Sequence, residues 1–152
     1  MKSLTVLFIL VLTLLGCNCQ KKAVENNVYS AEKLTTTPTL EYDETTRGSY
    51  LKISVTHNVA LITEGRERTT REVILPEDVV KQIGIVYNMI DVKQLPNLKA
   101  PTEKRFYDGA PTAQFKVIFS KDNIVESAGF DGGYPPSEIE TMVNQLRALI
   151  KL

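Results

Sequence analysis

The sequence predicts an α+β domain, an antiparallel sheet of about six strands with two helices packed on one side. Short segments that alternate apolar and polar residues fill residues 39–75, a pattern typical of strands with one buried face. A segment with helical apolar spacing follows at residues 76–90, and another ends the chain. This order of strands, helix, strands and helix favours helices packed against an antiparallel sheet.

The first half of the domain is predicted to be a meander of four short antiparallel strands. Gly48 separates the first two alternating runs, so these runs are expected to form a hairpin. His57 with Asn58, and then Gly65, mark the next two turns, because these residue types favour turns. The alternation implies a single covered sheet face. The four strands are expected at residues 40–42, 50–55, 59–63 and 67–75.

A helix is predicted to begin at Pro76 and to supply that cover. Proline tolerates the first helical position, and the carboxylates of Glu77 and Asp78 favour the positive end of the helix dipole. Gly84 weakens the helix slightly. Residues 91–101 contain two prolines and are expected to form an irregular connection. The apolar stripe of the helix comprises Val79, Ile83, Val86 and Ile90.

A second hairpin is predicted from residues 113–119 and 124–130, which flank a turn at residues 121–122. Residues 105–107 are expected to form a short strand before it. A two-residue loop sets a register in which one side is largely apolar, with a single misfit where a carboxylate meets a valine. The facing pairs in that register are Phe119 with Ile124, Val117 with Glu126, Phe115 with Ala128 and Ala113 with Phe130.

The last helix is predicted to begin at Ser137, with Glu140 as the partner of Ser137 in a capping box. Apolar residues recur after it at helical spacing and give the helix one apolar side. Residues 39–152 are therefore expected to form a single α+β domain. The stripe of the last helix comprises Ile139, Met142, Val143, Leu146 and Ile150.

The amino-terminal residues carry a targeting signal. Lys2 gives a positively charged lead, and residues 4–15 form an apolar run interrupted only by two threonines. This run is too short for a membrane-spanning helix, which needs roughly 20 apolar residues, and it fits the apolar core of a signal peptide. An ordinary secretory signal and a buried strand are the alternatives, but neither explains Gly16 followed by Cys17.

The apolar run ends at Leu14-Leu15-Gly16-Cys17, which resembles the lipobox of bacterial lipoproteins. The resemblance implies that residues 1–16 are removed as a signal peptide. It also implies a diacylglyceryl group on the thiol of Cys17 and an acyl chain, typically palmitate, on the new amino terminus. Cys19 is a poor rival acceptor because no apolar residue stands at the required place before it.

Residues 17–38, including the lipidated cysteine, are polar and are expected to form a tether between the anchor and the domain. A flexible linker of this length has an r.m.s. span of roughly 25 Å. The chain also pairs an Asp-Gly-Ala segment at residues 108–110 with a Phe-Asp-Gly-Gly-Tyr-Pro-Pro segment at residues 130–136. With the lipobox and tether, this pairing is similar to short lipoproteins of the Bacteroidota that have no assigned activity. The resemblance implies export and anchoring in the cell envelope, in the outer membrane facing the periplasm.

Charge and composition exclude several classes of protein. The chain has 18 basic and 18 acidic side chains, so loss of Lys2 leaves a net charge of about −1, which argues against a nucleic-acid binder. With Cys17 lipidated, Cys19 is the only thiol left and no intramolecular disulfide can form. His57 is the only histidine and is expected in a turn. No metal site, cofactor or catalytic nucleophile is therefore predicted.

One group of residues is a candidate binding rim. Antiparallel pairing of the second hairpin brings the segments before and after it to the same open end. Asp108, Asp131 and Tyr134 are then expected to share a rim with Arg105 and Tyr107. Two carboxylates there can raise one another's pKa, or they can bind a hard cation. They can also serve only to form turns, because Asp-Gly is a common turn pair. The turn-forming role is favoured first, and among the functional interpretations binding is favoured over catalysis.

Two functions follow from these observations. The first is a noncatalytic, membrane-anchored lipoprotein whose domain recognises a protein or other component of the envelope. The alternative is an envelope hydrolase that uses Asp108 and Asp131, because glycosidases place a carboxylate pair roughly 5 to 9.5 Å apart. Both aspartates are expected in solvated loops, where replacement by asparagine changes stability by no more than about 0.5 kcal/mol.

Overall fold

An antiparallel sheet is the framework of the computed structural model, which describes residues 37–107 and 109–152. Within these residues the sheet has seven strands, and the first four form the predicted meander. The fifth strand lies on the other side of the first, and the sixth and seventh both pair with it. The predicted α+β class and antiparallel sheet are confirmed. The strands are β1 (Thr39–Thr45), β2 (Tyr50–Thr56), β3 (Val59–Glu64), β4 (Thr69–Ile74), β5 (Thr112–Ser120), β6 (Asn123–Glu126) and β7 (Phe130–Asp131).

The described residues contain two α-helices, α1 (Glu77–Tyr87) and α2 (Ser137–Ala148). α2 begins at the predicted residue, but the capping box is wrong. Pro136 occupies the cap position, and no side chain of the described residues caps the helix. Because Ser137 lies inside the first turn, its hydroxyl donates to the carboxylate of Glu138 instead, at 3.1 Å.

α1 begins one residue later than predicted, because Pro76 occupies its cap position. Three residues of the expected apolar stripe lie in α1, with Ile83 and Val86 buried and Val79 half-buried against the core. The fourth, Ile90, also packs against the core, but it lies beyond the last residue of the helix, which ends earlier than predicted. None of the helices in the described ranges is both long and apolar enough to cross a membrane.

The connection between α1 and β5 contains two 3₁₀ helices, Val92–Asn97 and Lys104–Phe106. The predicted strand at residues 105–107 is therefore wrong. The backbone N–H groups of Lys104 and Arg105 donate to a side-chain carboxylate, not to a neighbouring strand. That single acceptor replaces the ladder of hydrogen bonds that a strand needs.

The hydrophobic core lies on one face of the sheet. Cross-strand pairing puts Tyr42 of β1 between Ile53 of β2 and Phe115 of β5, and all three side chains have no exposed surface. Buried side chains of both α-helices belong to the same cluster. The helix residues in this cluster are Ile83, Val86, Ile139, Met142, Val143 and Leu146.

The β5–β6 hairpin departs from the predicted register. Phe119 is an extra residue on β5 and forms a β-bulge. The bulge shifts the β5–β6 pairs on the side away from the turn by one position. Glu126 therefore lies beside Lys116 and not opposite Val117, so the apparent misfit disappears. An extra residue on the returning chain before β7 restores the predicted final pair. The observed pairs are Ser120 with Asn123, Ile118 with Ile124, Val117 with Val125, Lys116 with Glu126 and Ala113 with Phe130.

The opposite face of the sheet, the open face, carries cross-strand ion pairs. Glu41 of β1 lies 2.8 Å from Lys52 and 3.6 Å from Lys116, and Asp43 lies 3.0 Å from Lys116. Opposite charges on neighbouring strands stabilise a sheet modestly. Ile74 on the edge strand β4 is 70% exposed.

Candidate functional site

Asp131 is fully buried, so its predicted position in a solvated loop is wrong. Its carboxylate accepts four hydrogen bonds within the described residues. Oδ2 accepts from the hydroxyl of Thr102 and from the backbone N–H of Lys104 at 2.7 Å. Oδ1 accepts from the backbone N–H of Arg105 at 2.9 Å and from its guanidinium at 3.0 Å. These four residues are called the Asp131 corner below.

The Asp131 corner favours an ionised carboxylate. Burial acts to raise the pKa of Asp131, but the hydrogen bonds from Thr102, Arg105 and Lys104 together outweigh it and hold the pKa well below its ordinary value. A buried carboxylate that stays ionised cannot deliver a proton to a substrate at neutral pH. Asp131 therefore acts as a clamp that holds the second 3₁₀ helix against β7.

The other residues of the predicted rim are only partly brought together. Arg105 pairs with Asp131, but Tyr107 is 77% exposed and belongs to neither the corner nor the cleft described below. Tyr134 is 50% exposed, and its ring lies 5.0 Å from the ammonium group of Lys104.

Asp108 and residues 1–36 lie outside the described residues. The pairing of Asp108 with Asp131, the signal peptide, the lipid on Cys17 and the tether accordingly stay predictions. Among the residues that the structure does describe, no three His, Cys, Asp or Glu side chains are grouped as a metal site.

A cleft of about 930 Å³ lies beside Tyr134. One wall is formed by residues 89–101, which follow α1, and the other by residues 133–140, which lead into α2. Met89 is 76% exposed on the first wall, and Tyr134 is exposed on the second. Concave sites with apolar walls and a few polar groups are the usual form of ligand and partner sites.

The first wall is held by the 3₁₀ helix Val92–Asn97. Asp91 caps this helix by accepting a hydrogen bond from the backbone N–H of Lys93 at 3.1 Å. Leu95 in its middle has no exposed surface and anchors the segment to the core. The flanking residues Ile90 and Leu98 are half-buried, so the wall presents a fixed apolar surface.

The second wall is held by a tight turn and two prolines. The backbone N–H of Tyr134 donates to the carbonyl of Asp131 at 2.8 Å, and Gly133 has a φ of 84°, which favours glycine. Pro135 and Pro136 are buried and restrict the backbone before α2. The Tyr134 ring is thus presented to the cleft by a rigid segment.

A second polar network ties α2 to the sheet behind the cleft. The guanidinium of Arg147 donates to Glu44 at 2.6 Å and to the hydroxyl of Tyr42 at 3.0 Å, and that hydroxyl donates to Glu44 at 2.6 Å. Burial, and then the carboxylate of Glu44, raise the pKa of Tyr42. A Cβ on Gly132 would lie only 3.0 Å from the Glu44 side chain, so the chain is closely packed here.

The electrostatic character of the cleft is acidic. Asp91 on the first wall and Glu138 and Glu140 on the second are all exposed. Lys99 is the one basic side chain among the described residues that line the cleft. None of the three carboxylates forms an ion pair within the described part of the chain.

Sequence reasoning did not identify this cleft, because its walls come from segments more than thirty residues apart. Two local signals were present in the sequence. Met89 lies off the apolar stripe of the predicted helix, and a Tyr-Pro-Pro segment stands immediately before α2. Comparison with protein families, with curated proteins and with solved structures finds no match for this chain.

Proposed function

We propose that this chain is a noncatalytic lipoprotein of the bacterial cell envelope, anchored through a lipid on Cys17, whose domain binds an envelope component in the cleft. The observation that carries the binding role is the cleft, with Met89 and Tyr134 exposed on rigid walls. Preorganised surfaces of this kind bind with a small loss of conformational entropy. Tyrosine is also among the residues that contribute most to binding at interfaces.

The sequence supports the anchored position of this domain. The lipobox at residues 14–17 and the polar tether after it are the expected parts of a lipoprotein. The proposed arrangement has both α-helices side by side on one face of the sheet, with the tether leading directly to β1. A span of roughly 25 Å is long enough to hold the cleft clear of the lipid headgroups.

A hydrolase that uses Asp108 and Asp131 has less support. Such an enzyme needs Asp131 in contact with a substrate, as acid, base or nucleophile. The Asp131 carboxylate has no exposed surface and already accepts four hydrogen bonds. Donors from the same chain therefore already occupy most of the hydrogen-bond acceptor positions of this carboxylate.

Affinity capture with a pair of tyrosine variants tests the binding role. The full chain is expressed in its own cells, and partners captured from the solubilised membrane are quantified by mass spectrometry. Tyr134→Ala is expected to reduce recovery of the main partner about tenfold, a loss typical of an interface aromatic. The control is Tyr107→Ala, which removes another exposed tyrosine that does not line the cleft. Equal recovery with both variants contradicts the proposal.

Intact mass of the membrane-extracted protein tests the anchor. The expected mass corresponds to a chain that begins at Cys17 and carries a diacylglyceryl group. Cys17→Ala is expected to leave the membrane fraction, and Cys19→Ala serves as the control that stays there. A mature chain that keeps Met1, or a Cys17→Ala protein that still fractionates with membranes, contradicts lipidation.

A further inference from the structure

We propose that the cleft binds a polypeptide segment that carries both basic and apolar side chains, an inference that rests on the proposed function of the cleft. Three features of the two walls support this class of partner. They are the carboxylates on both walls, the exposed Tyr134 ring with its cation–π contact, and the exposed apolar surface around Met89.

The carboxylates stand on both sides of the cleft. Asp91 lies on the first wall, and Glu138 and Glu140 lie on the second. A lysine or arginine side chain that enters between the walls is attracted from both directions. An anionic ligand is disfavoured by the same groups, because the three carboxylates outnumber Lys99 on the lining and Lys104 beside the Tyr134 ring.

The Tyr134 ring already interacts with a cation. The ammonium group of Lys104 lies 5.0 Å from the centre of the ring, within the range of a cation–π contact. Half of the Tyr134 side-chain surface nevertheless stays exposed and lines the cleft. An electron-rich ring on a wall that also carries two carboxylates is a suitable environment for a second cation supplied by a partner.

The apolar surface of the cleft explains why a simple cation is not sufficient. Met89 is exposed, and Ile90 and Leu98 beside it are half-buried. Methionine is flexible and polarisable, so it adapts to apolar side chains of different shapes. A purely apolar ligand would desolvate the carboxylates without pairing them, which is unfavourable. A segment with both kinds of side chain satisfies both parts of the cleft.

Calorimetric titration of the full chain in detergent micelles with four probes tests this partner class. Three decapeptides share one leucine and proline framework and carry lysine, glutamine or glutamate at the remaining positions. The fourth probe is a neutral chito-oligosaccharide. The lysine peptide is expected to bind at least tenfold more tightly than the other three, and its affinity is expected to fall as salt is added.

Two double variants test whether the carboxylates of the cleft are responsible. Glu138→Gln with Glu140→Gln is expected to weaken the lysine peptide about fivefold, as for the loss of two exposed ion pairs, and to reduce the salt dependence. The matched control is Glu77→Gln with Asp78→Asn, which removes two carboxylates from the first turn of α1, outside the cleft. The control is expected to bind the lysine peptide like the parent.

The outcomes separate this inference from the proposed function. If no peptide binds, or the glutamate peptide or oligosaccharide binds as tightly as the lysine peptide, the partner class is wrong. The proposed function is still supported in that case if recovery of the partner from the solubilised membrane depends on Tyr134. If Tyr134→Ala changes neither capture nor peptide binding, the cleft is not the site and both proposals fail.

Discussion

The Asp131 corner and the cleft lie next to each other in the chain but differ in how their polar groups are satisfied. Asp131 is buried and accepts four hydrogen bonds from its own chain, whereas Tyr134, three residues later, is exposed on a wall with carboxylates that have no ion pair in the described residues. Polar groups that the chain satisfies itself stabilise the fold. Groups left open to solvent are available to a partner.

The largest expected effect on stability is that of Asp131→Asn. The amide would place a donor against the donors from Thr102 and Lys104 and would remove the charge that faces Arg105. We expect the free energy of unfolding to fall by about 3 kcal/mol, as for other broken buried polar networks. Urea denaturation of the full chain measures the change.

Asp122→Asn is the matched control for this substitution. Asp122 is an exposed residue in the turn between β5 and β6, and its replacement is expected to change stability by less than about 0.5 kcal/mol. Similar losses for the two variants, or a loss below about 1 kcal/mol for Asp131→Asn, contradict a structural role of the corner.

Acid should remove the stabilisation that the Asp131 corner supplies. Because the pKa of Asp131 is lowered in the folded state, its contribution is complete above the ordinary aspartate pKa of about 3.9. The contribution is lost as the pH falls below that value toward the lowered folded pKa. Urea denaturation at several pH values below about 4 should show a steeper loss of stability for the parent than for Asp131→Asn. Equal slopes contradict the depressed pKa.

A smaller loss of stability is expected for Gly132→Ala, between the corner and the cleft. A Cβ there would lie 2.8 Å from Pro111 and 3.0 Å from the Glu44 side chain, so the turn must shift. We expect destabilisation by about 1 to 2 kcal/mol, measured by thermal unfolding. Gly48→Ala is the control, because no heavy atom in the described residues lies within 4 Å of its added Cβ. Unchanged or slightly raised stability is expected there, and an equal loss at both positions contradicts the packing.

Periodicity was sufficient to predict most of the fold. Alternation identified the four-stranded meander, and apolar spacing identified both helices. The bulge at Phe119 was not predicted, although the awkward position of Glu126 in the simple register was a signal that the pairing shifts. A bulge depends on local geometry that alternation alone does not contain.

The candidate site was harder to predict because its contacts are distant in sequence. Asp131-Gly132-Gly133 has the composition of a solvated turn. The groups that donate hydrogen bonds to the Asp131 carboxylate lie 26 to 29 residues earlier in the chain. Nothing in the sequence around Asp131 indicates these partners. Tyr134 was predicted in the rim, but Met89 and the opposite wall depend on the packing of the 3₁₀ helix Val92–Asn97.

The smallest effect on stability is expected for Met89→Ala, in the cleft. Met89 is 76% exposed, so its truncation should change the free energy of unfolding by less than about 0.5 kcal/mol. The same variant is expected to weaken partner capture severalfold, in the same direction as the loss expected for Tyr134→Ala. Ile74→Ala on the open face is the control with similar exposure, and it should leave capture unchanged. A large loss of stability for Met89→Ala contradicts the separation of the two regions.

Photo-crosslinking in intact cells tests most directly whether the cleft is the recognition surface. A photoreactive side chain is placed at Met89 in the cleft and, in a matched experiment, at Ile74 on the open face, since both positions are largely exposed. After illumination, crosslinked proteins are identified by mass spectrometry of the recovered chain. We predict a specific crosslinked polypeptide from position 89 and none from position 74. The same crosslink from both positions, or a crosslink from position 74 alone, contradicts recognition through the cleft.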